Sequence, residues 1–421
     1  MPEKLLQNKL FLYLVYGFFL FLPFERIPTL ELGGYTIKIS YVFAVLIFLY
    51  TLFFFRKIKL NLFDKSNTYI TALWIFSALI LLFNPNCRSL LVLFMWAFVF
   101  LIYFVFSKVL TNQKFREIAI NITIFVSVLI SIFGLFQFFG DSFGLSTKFT
   151  QLLPAYTKVI FGFPRIQSVG LEPLYFANFL LVPIFLSFSK YINREKFFNK
   201  YFWIALLLLL NLGLTVSRGA YIAIVFTLLL FLIYLIISKQ AKKILGVISI
   251  ALLSIVLTYL TIYKVNGQSA SKGFREHSIV MFQDTNKDGS SMDRLETYKI
   301  AFGYFKEEPV LGNGLGSFGL HYTPVEKQKE GIYSTVNNQY IELLAENGLV
   351  GLALFLAFLV SLLMLVIKKM KLNKVSDNNI LVPVFLGCLA ILIQYNFFST
   401  LYIIYIWAFL ALLKSLATLE N

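Results

Sequence analysis

The sequence predicts an all-α polytopic membrane protein with about 12 transmembrane helices and one large periplasmic or extracellular loop containing short helices. Composition is the first reason. The 421 residues are 59% hydrophobic and include 48 Phe, and the mean hydropathy is +0.79, more apolar surface than a soluble domain can bury. The second reason is recurrence: apolar runs of about 18 residues or more return along the whole chain. The third is what the pattern lacks. A membrane β-barrel needs alternating segments of about 10 residues, and the sequence has none.

Taken in order, the spans fall at 10–23, 37–55, 68–83, 89–107, 118–140, 173–189, 201–216, 219–238, 244–263, 340–367, 380–398 and 400–415. The first is short, ends at Pro23 and follows MPEKLLQNKL, which has no small-residue cleavage site, so it reads as an uncleaved span. The seventh and eighth meet at Ser217-Arg218-Gly219 with almost no loop. The organisation is nine spans over 1–263, a large outward loop at 264–339, and three spans over 340–421. Within the loop, Thr297 to Phe305 has the spacing of a short amphipathic helix, which Pro309-Val310-Leu311-Gly312 ends. GNGLGSFGL follows, with glycines that allow tight turns.

Charge placement orients the chain. Of the 37 Lys and Arg, 21 lie on one set of alternate segments, nine in the long loop and seven elsewhere. Long loops carry little weight in the positive-inside rule. Both termini are therefore expected in the cytoplasm, with the long loop outside. The net charge of +16 thus reports topology rather than nucleic-acid binding. Cys87 and Cys388 are far apart and suggest neither a disulfide framework nor a metal site.

A few residues stand out chemically. Arg218 sits between two apolar spans, where a guanidinium is costly unless it is paired or lines a wet cavity. Its planar fork of donors suits phosphate oxygens, so it reads as an anion clamp; the alternative is an arginine reaching lipid headgroups. Arg165, before QSVGLEPLYFANFL, is either a second such group or an ordinary loop cation. Glu172 precedes Pro173 at the head of the sixth span, as a helix cap or as a general base. His277 and His321 are the only histidines, and without HExxH spacing or nearby Cys they do not form a zinc site. Asp284-Thr285-Asn286-Lys287-Asp288-Gly289 matches the first six positions of a calcium loop. The twelfth is Leu295 where a carboxylate is needed, so a polar turn is the simpler reading.

Four stretches together resemble one family. DRLETYKIAFGYFKEEPVLGNGLGSF resembles its arginine, amphipathic helix and Pro-x-x-Gly-x-Gly-x-Gly-x-Phe run. NNQYIELLAENGLVGL resembles its His-Asn-x-Tyr-Leu and Glu-x-Gly-x-x-Gly approach to the next span. SRGAY is similar to its Ser-Arg-Gly corner, and GLEPLYFANFL to the Pro-containing start of an earlier span. The chain is thereby identified as resembling the bacterial O-antigen ligase and O-antigen polymerase superfamily, with a core at about 165–352. The resemblance implies a glycosyltransferase of the bacterial inner membrane, needing no nucleotide or other cofactor and no metal. Its donor is a saccharide on undecaprenyl pyrophosphate. Its acceptor is a sugar hydroxyl, on another lipid-linked glycan or on lipid A-core. It carries leaving-group stabilisation to Arg218 and Arg165, donor binding or loop bracing to Arg294, and substrate contacts to Asn337, Asn338 and Tyr340. Glu346 matches the family glutamate, as a cap or support.

One departure has consequences. Asn337 stands where the family frequently has histidine, and an asparagine amide orients a hydroxyl without taking its proton. Ligases lean on that histidine, so the sequence leans to polymerase, with ligase as the alternative. His321 and Glu172 are the candidate replacement bases. A lipid-linked saccharide transporter is the rival from another class. It predicts paired intramembrane charges and an internal repeat, and neither is visible.

Overall fold

A computed structural model describes residues 8–32, 35–53, 64–83, 85–283, 289–329, 333–372, 380–399 and 401–418. The elements run α1 (Lys9–Phe21), β1 (Thr29–Leu32), β2 (Tyr35–Lys38), α2 (Ile39–Phe53), α3 (Lys65–Phe83), α4 (Cys87–Val109) and α5 (Gln113–Ser142). Two single-turn helices follow, α6 (Thr147–Thr150) and α7 (Lys158–Phe161). Next come α8 (Pro173–Ile192), α9 (Lys200–Leu214), α10 (Arg218–Ile237), α11 (Ala241–Gln283) and α12 (Gly289–Glu307). The chain ends with the short α13 (Ser317–Tyr322) and α14 (Val325–Lys329), then α15 (Gln339–Leu372), α16 (Leu381–Gln394) and α17 (Ile404–Ala417). Among the described residues, seven helices are long and apolar enough to cross a membrane, and five shorter apolar helices of 10–17 residues accompany them. The protein is an all-α membrane protein, apart from one antiparallel hairpin that hydropathy did not reveal.

The chain forms two compact units. The first comprises Met1–Ile58, Val109–Gln283 and Met370–Ile393. At its centre α9 packs against α5, α8 and α11. Missing side chains set these approaches: a Cβ on Gly213 would strike the Thr258 side chain, and one on Gly387 would lie 2.9 Å from the Val182 backbone. Small residues let apolar helices meet where hydrophobicity supplies no drive between them. Asparagines start several helices. Asn8 accepts from Leu10 N at 2.9 Å, Asn112 from Lys114 N at 3.1 Å and Asn199 from Tyr201 N at 2.9 Å.

The second unit comprises Lys59–Lys108, Asp284–Lys369 and Gln394–Asn421. Its aromatic core surrounds Trp407, whose ring meets Phe100 edge-on at 4.6 Å and lies 5.9 Å from Phe358. Lys414 is almost fully buried, and it ion-pairs with Asp64 at 2.7 Å and donates to Asn67. A cation on an apolar helix needs such partners.

Three element boundaries differ from expectation. The segment from 264, expected to leave the helix, continues as α11 to Gln283, bent at Gly267 (φ 87°, ψ −178°). The expected span at 340–367 is the longer α15, interrupted at Gly348 (φ 61°, ψ −165°). The amphipathic helix expected over 297–305 is α12, which stops at Glu307, just before Pro309. The calcium-type turn at 284–288 and the His277 side chain lie outside the described residues.

Candidate functional site

In the first unit the polar side chains gather at the corner between α9 and α10. The chain turns because Val216 takes a left-handed conformation, φ 51°, which is rare for a β-branched residue. Thr215 N donates to Asn211 O at 3.1 Å, Val216 N to Gly213 O at 3.2 Å, and the Tyr221 hydroxyl to Gly213 O. Ser217 occupies the N-cap of α10, where a serine oxygen ordinarily accepts a backbone N–H. It makes no such bond, and its hydroxyl is buried with no partner among the described residues. The positive end of a 20-residue helix therefore opens beside an uncommitted hydroxyl and Arg218.

Arg165 is tied to this corner. Its Nε donates to Thr215 O at 3.3 Å and its terminal nitrogen to Val216 O at 3.1 Å, and Ile166 N donates to Leu214 O at 3.3 Å. The guanidinium lies 5.2 Å from the Phe161 ring centre and 5.9 Å from that of Tyr156. Burial lowers the Arg165 pKa, the charge of Arg218 lowers it further, and Tyr156, Tyr221 and Glu172 oppose them. A guanidinium remains charged nonetheless. Burial, then the neighbouring Glu172 carboxylate, push the Tyr156 phenol up to about 12.

Glu172 holds the N-cap position of α8, yet its exposed side chain makes no capping hydrogen bond. Its charge acts on the neighbouring Tyr156 phenol instead. Capping, the simpler reading from sequence, is thus corrected: the backbone is extended at Glu172 and its side chain makes no cap hydrogen bond. Between Arg165 and Glu172 the loop is pinned at Ser168 (φ 50°). The Gln137 amide accepts from Ser168 N at 2.7 Å and donates to Ser168 O at 3.1 Å, while Ser168 Oγ donates to Ile130 O at 2.6 Å.

In the second unit the central feature is the break in α15. Gly348 frees backbone groups that a membrane offers no water to satisfy. The glycine-rich strap after α12 satisfies them. Asn313 N donates to Ala345 O at 3.3 Å and Gly314 N to Glu346 O at 2.8 Å. In return, Leu349 N donates to Pro309 O at 2.9 Å and Val350 N to Val310 O at 3.3 Å. The approach requires glycine at 312, because a Cβ there would overlap the backbone at Glu346, Asn347 and Gly348. The Glu346 carboxylate completes the strap by accepting from Gly316 N at 2.8 Å and Phe318 N at 3.3 Å.

A small cavity of about 40 Å³ lies beside the strap, lined by Arg88, Gln339, Glu342 and Glu346 among others. Glu342 accepts from Val336 N at 2.9 Å. Arg88 donates to Gly316 O at 2.9 Å and its guanidinium lies 3.6 Å from the Tyr333 ring centre. Sequence reasoning missed Arg88, Glu342, Tyr156 and Ser217's free hydroxyl. Two carboxylates four residues apart at the head of an apolar span share a helix face, and that spacing could have exposed Glu342. Nothing local in the sequence marks Tyr156.

The other expected residues divide. Asn338 is the N-cap of α15: its Oδ1 accepts from Tyr340 N at 3.0 Å and Ile341 N at 3.1 Å, and its amide donates to Asn396 O at 3.3 Å. That cap occupies the side chain expected to meet substrate. Asn337 is left-handed (φ 59°), a conformation asparagine tolerates. Tyr340 packs 6.3 Å from Phe355 and 6.4 Å from Tyr395. His321 is exposed on α13, 5.2 Å from the Tyr304 ring centre. Arg294 lies on α12, where Thr297 Oγ1 donates both to its carbonyl at 2.9 Å and to Val336 O at 3.1 Å.

The class defined by these features is a multi-pass α-helical membrane protein with an arginine-bearing helix corner and a broken helix strapped by a glycine loop. Residues 203–356 match the O-antigen ligase family, which supports the resemblance of the motifs to the O-antigen ligase and polymerase superfamily. No curated protein matches the chain. That family suggests a glycosyltransferase-like enzyme and, in general, lipid-linked glycan substrates in a membrane setting. The match includes Arg218, Arg294, His321, Asn337, Glu342 and Glu346, whereas Arg88, Arg165 and Glu172 lie outside it.

Proposed function

We propose that the protein is a polymerase-type glycosyltransferase, moving a saccharide from undecaprenyl pyrophosphate to a sugar hydroxyl of another lipid-linked glycan. The reaction takes place at the outward face of the bacterial inner membrane, with both termini in the cytoplasm. One observation carries the reading: Arg165 and Arg218 are grouped at the start of α10 beside a serine hydroxyl that has no partner among the described residues. Breaking the anomeric C–O bond leaves its electron pair on a pyrophosphate oxygen. Fixed cations, a helix N-terminus and a free hydroxyl are a donor set for that developing charge.

The acceptor hydroxyl must lose a proton as its oxygen bonds to the anomeric carbon. Glu172 takes it: the carboxylate is exposed, belongs to the same unit as both arginines, neighbours Tyr156 and is not used as a cap. This relieves Asn337 of a role that an amide does not perform. Polymerase is favoured over ligase on that ground.

The test supplies purified protein with a short undecaprenyl-pyrophosphate-linked repeat and no lipid A-core, and sizes the products on a gel. A ladder of longer lipid-linked glycans is expected. Transfer that begins only when lipid A-core is added would assign the protein as a ligase.

A further inference from the structure

We propose that the cavity beside the strap in the second unit is a binding site for one small monovalent cation, Na⁺. Charge is the first argument. Among the residues lining the cavity, Glu342 and Glu346 are the acids and Arg88 is the cation, so with both acids ionised one negative charge is left uncompensated. Such a charge is costly unless it finds a partner. The guanidinium is committed to Gly316 O and to the Tyr333 ring, and neither carboxylate has an ion-pair partner within 4.0 Å among the described residues.

The second argument is independent of the acids. Gln339 lines the same cavity and is 2% exposed, yet its Oε1 has no hydrogen-bond partner among the described residues. A buried amide oxygen without a donor is expensive and points to something that supplies positive charge. Ser334 and Thr335 extend the oxygen lining. Each carboxylate already accepts backbone N–H groups, but a carboxylate has about four lone-pair sites, so acceptor capacity remains. The polar part of the lining other than Arg88 thus offers carboxylate, amide and hydroxyl oxygens, which suit a hard cation.

Size and charge select the ion. The cavity of about 40 Å³ is large enough for a water-sized occupant. A single positive charge balances the two acids against Arg88, whereas a divalent ion would overshoot. A bound ion would join the first turns of α15 to the strap. The site is independent of the glycosyl-transfer reading and would stand if that reading failed.

The experiment uses full-length protein in detergent at mildly alkaline pH and records its melting temperature as NaCl replaces choline chloride at constant ionic strength. A saturable rise with Na⁺ is expected. Gln339→Leu keeps the net charge and is expected to bind Na⁺ about tenfold more weakly; Glu342→Gln should abolish the rise. Superposed melting curves in Na⁺ and choline overturn the proposal, and they are what a carboxyl pair that retains a proton would give. A rise that persists unchanged in both variants also overturns it. Sodium NMR on the wild type tests the site without any variant: line broadening that excess Li⁺ reverses supports it, and no broadening overturns it.

Discussion

The interruption at Gly348 and the corner at Val216-Ser217 handle the same problem in opposite ways. At Gly348 the freed backbone groups find partners in the strap, and the Glu346 carboxylate binds the strap's own N–H groups. At the corner, a left-handed valine and a buried serine hydroxyl are left in unfavourable states. Backbone strain and unspent donors persist only where surrounding structure enforces them, and they concentrate at functional sites. The contrast separates a device that holds the chain from one that awaits a ligand.

The contrast is broken most visibly at Gly312. Gly312→Ala forces a Cβ into the α15 backbone at φ 78° and should cost more than about 3 kcal/mol. Membrane abundance and melting temperature report it, and a variant that melts normally would end the claim that the strap is structural. At the corner, the expected loss is in turnover. Arg218→Ala should lower glycosyl transfer by about 10²–10³-fold with normal protein level, and Arg218→Lys should rescue it poorly because the bidentate fork is gone. Wild-type surface glycan in the alanine variant would remove the anion clamp.

A smaller effect sharpens the division of roles among the family motif residues. Asn338→Ala removes a helix cap and should lower stability by about 1 kcal/mol while transfer continues, measured as melting temperature beside product yield. Lost transfer at unchanged melting temperature would return Asn338 to the substrate. Smallest in stability is Ser217→Ala. Deleting an unpartnered buried hydroxyl should leave the fold unchanged or firmer by up to about 1 kcal/mol, while transfer falls. Unimpaired transfer would make the corner merely strained.

The helical architecture was legible because apolar runs of membrane length dominate the composition, and the Ser-Arg-Gly corner because an arginine between two such runs is conspicuous. The motif run from Arg294 to Phe318 also reads directly as helix, proline stop and glycine strap. What the strap binds was not legible: Glu346-Asn347-Gly348 marks a local break, but nothing in the sequence tells which distant backbone groups meet it. Arg88 escaped for a related reason: Gly316, which it bonds, is 228 positions away in the chain. Glu172 illustrates the limit of local rules, because Glu before Pro at a helix start satisfies every capping criterion except the hydrogen bond.

Helix α8 is the least apolar of the seven candidate spans and also the most thoroughly enclosed by protein. It carries Pro183, Asn178 and two serines, and Ser187 Oγ donates to Pro183 O at 2.8 Å. A segment of that kind gains little by partitioning into lipid alone. During synthesis it would leave the translocation machinery most readily together with α9, the neighbour made immediately after it. Lengthening the short connection between them should therefore strand α8 outside the bilayer before it disturbs any other helix.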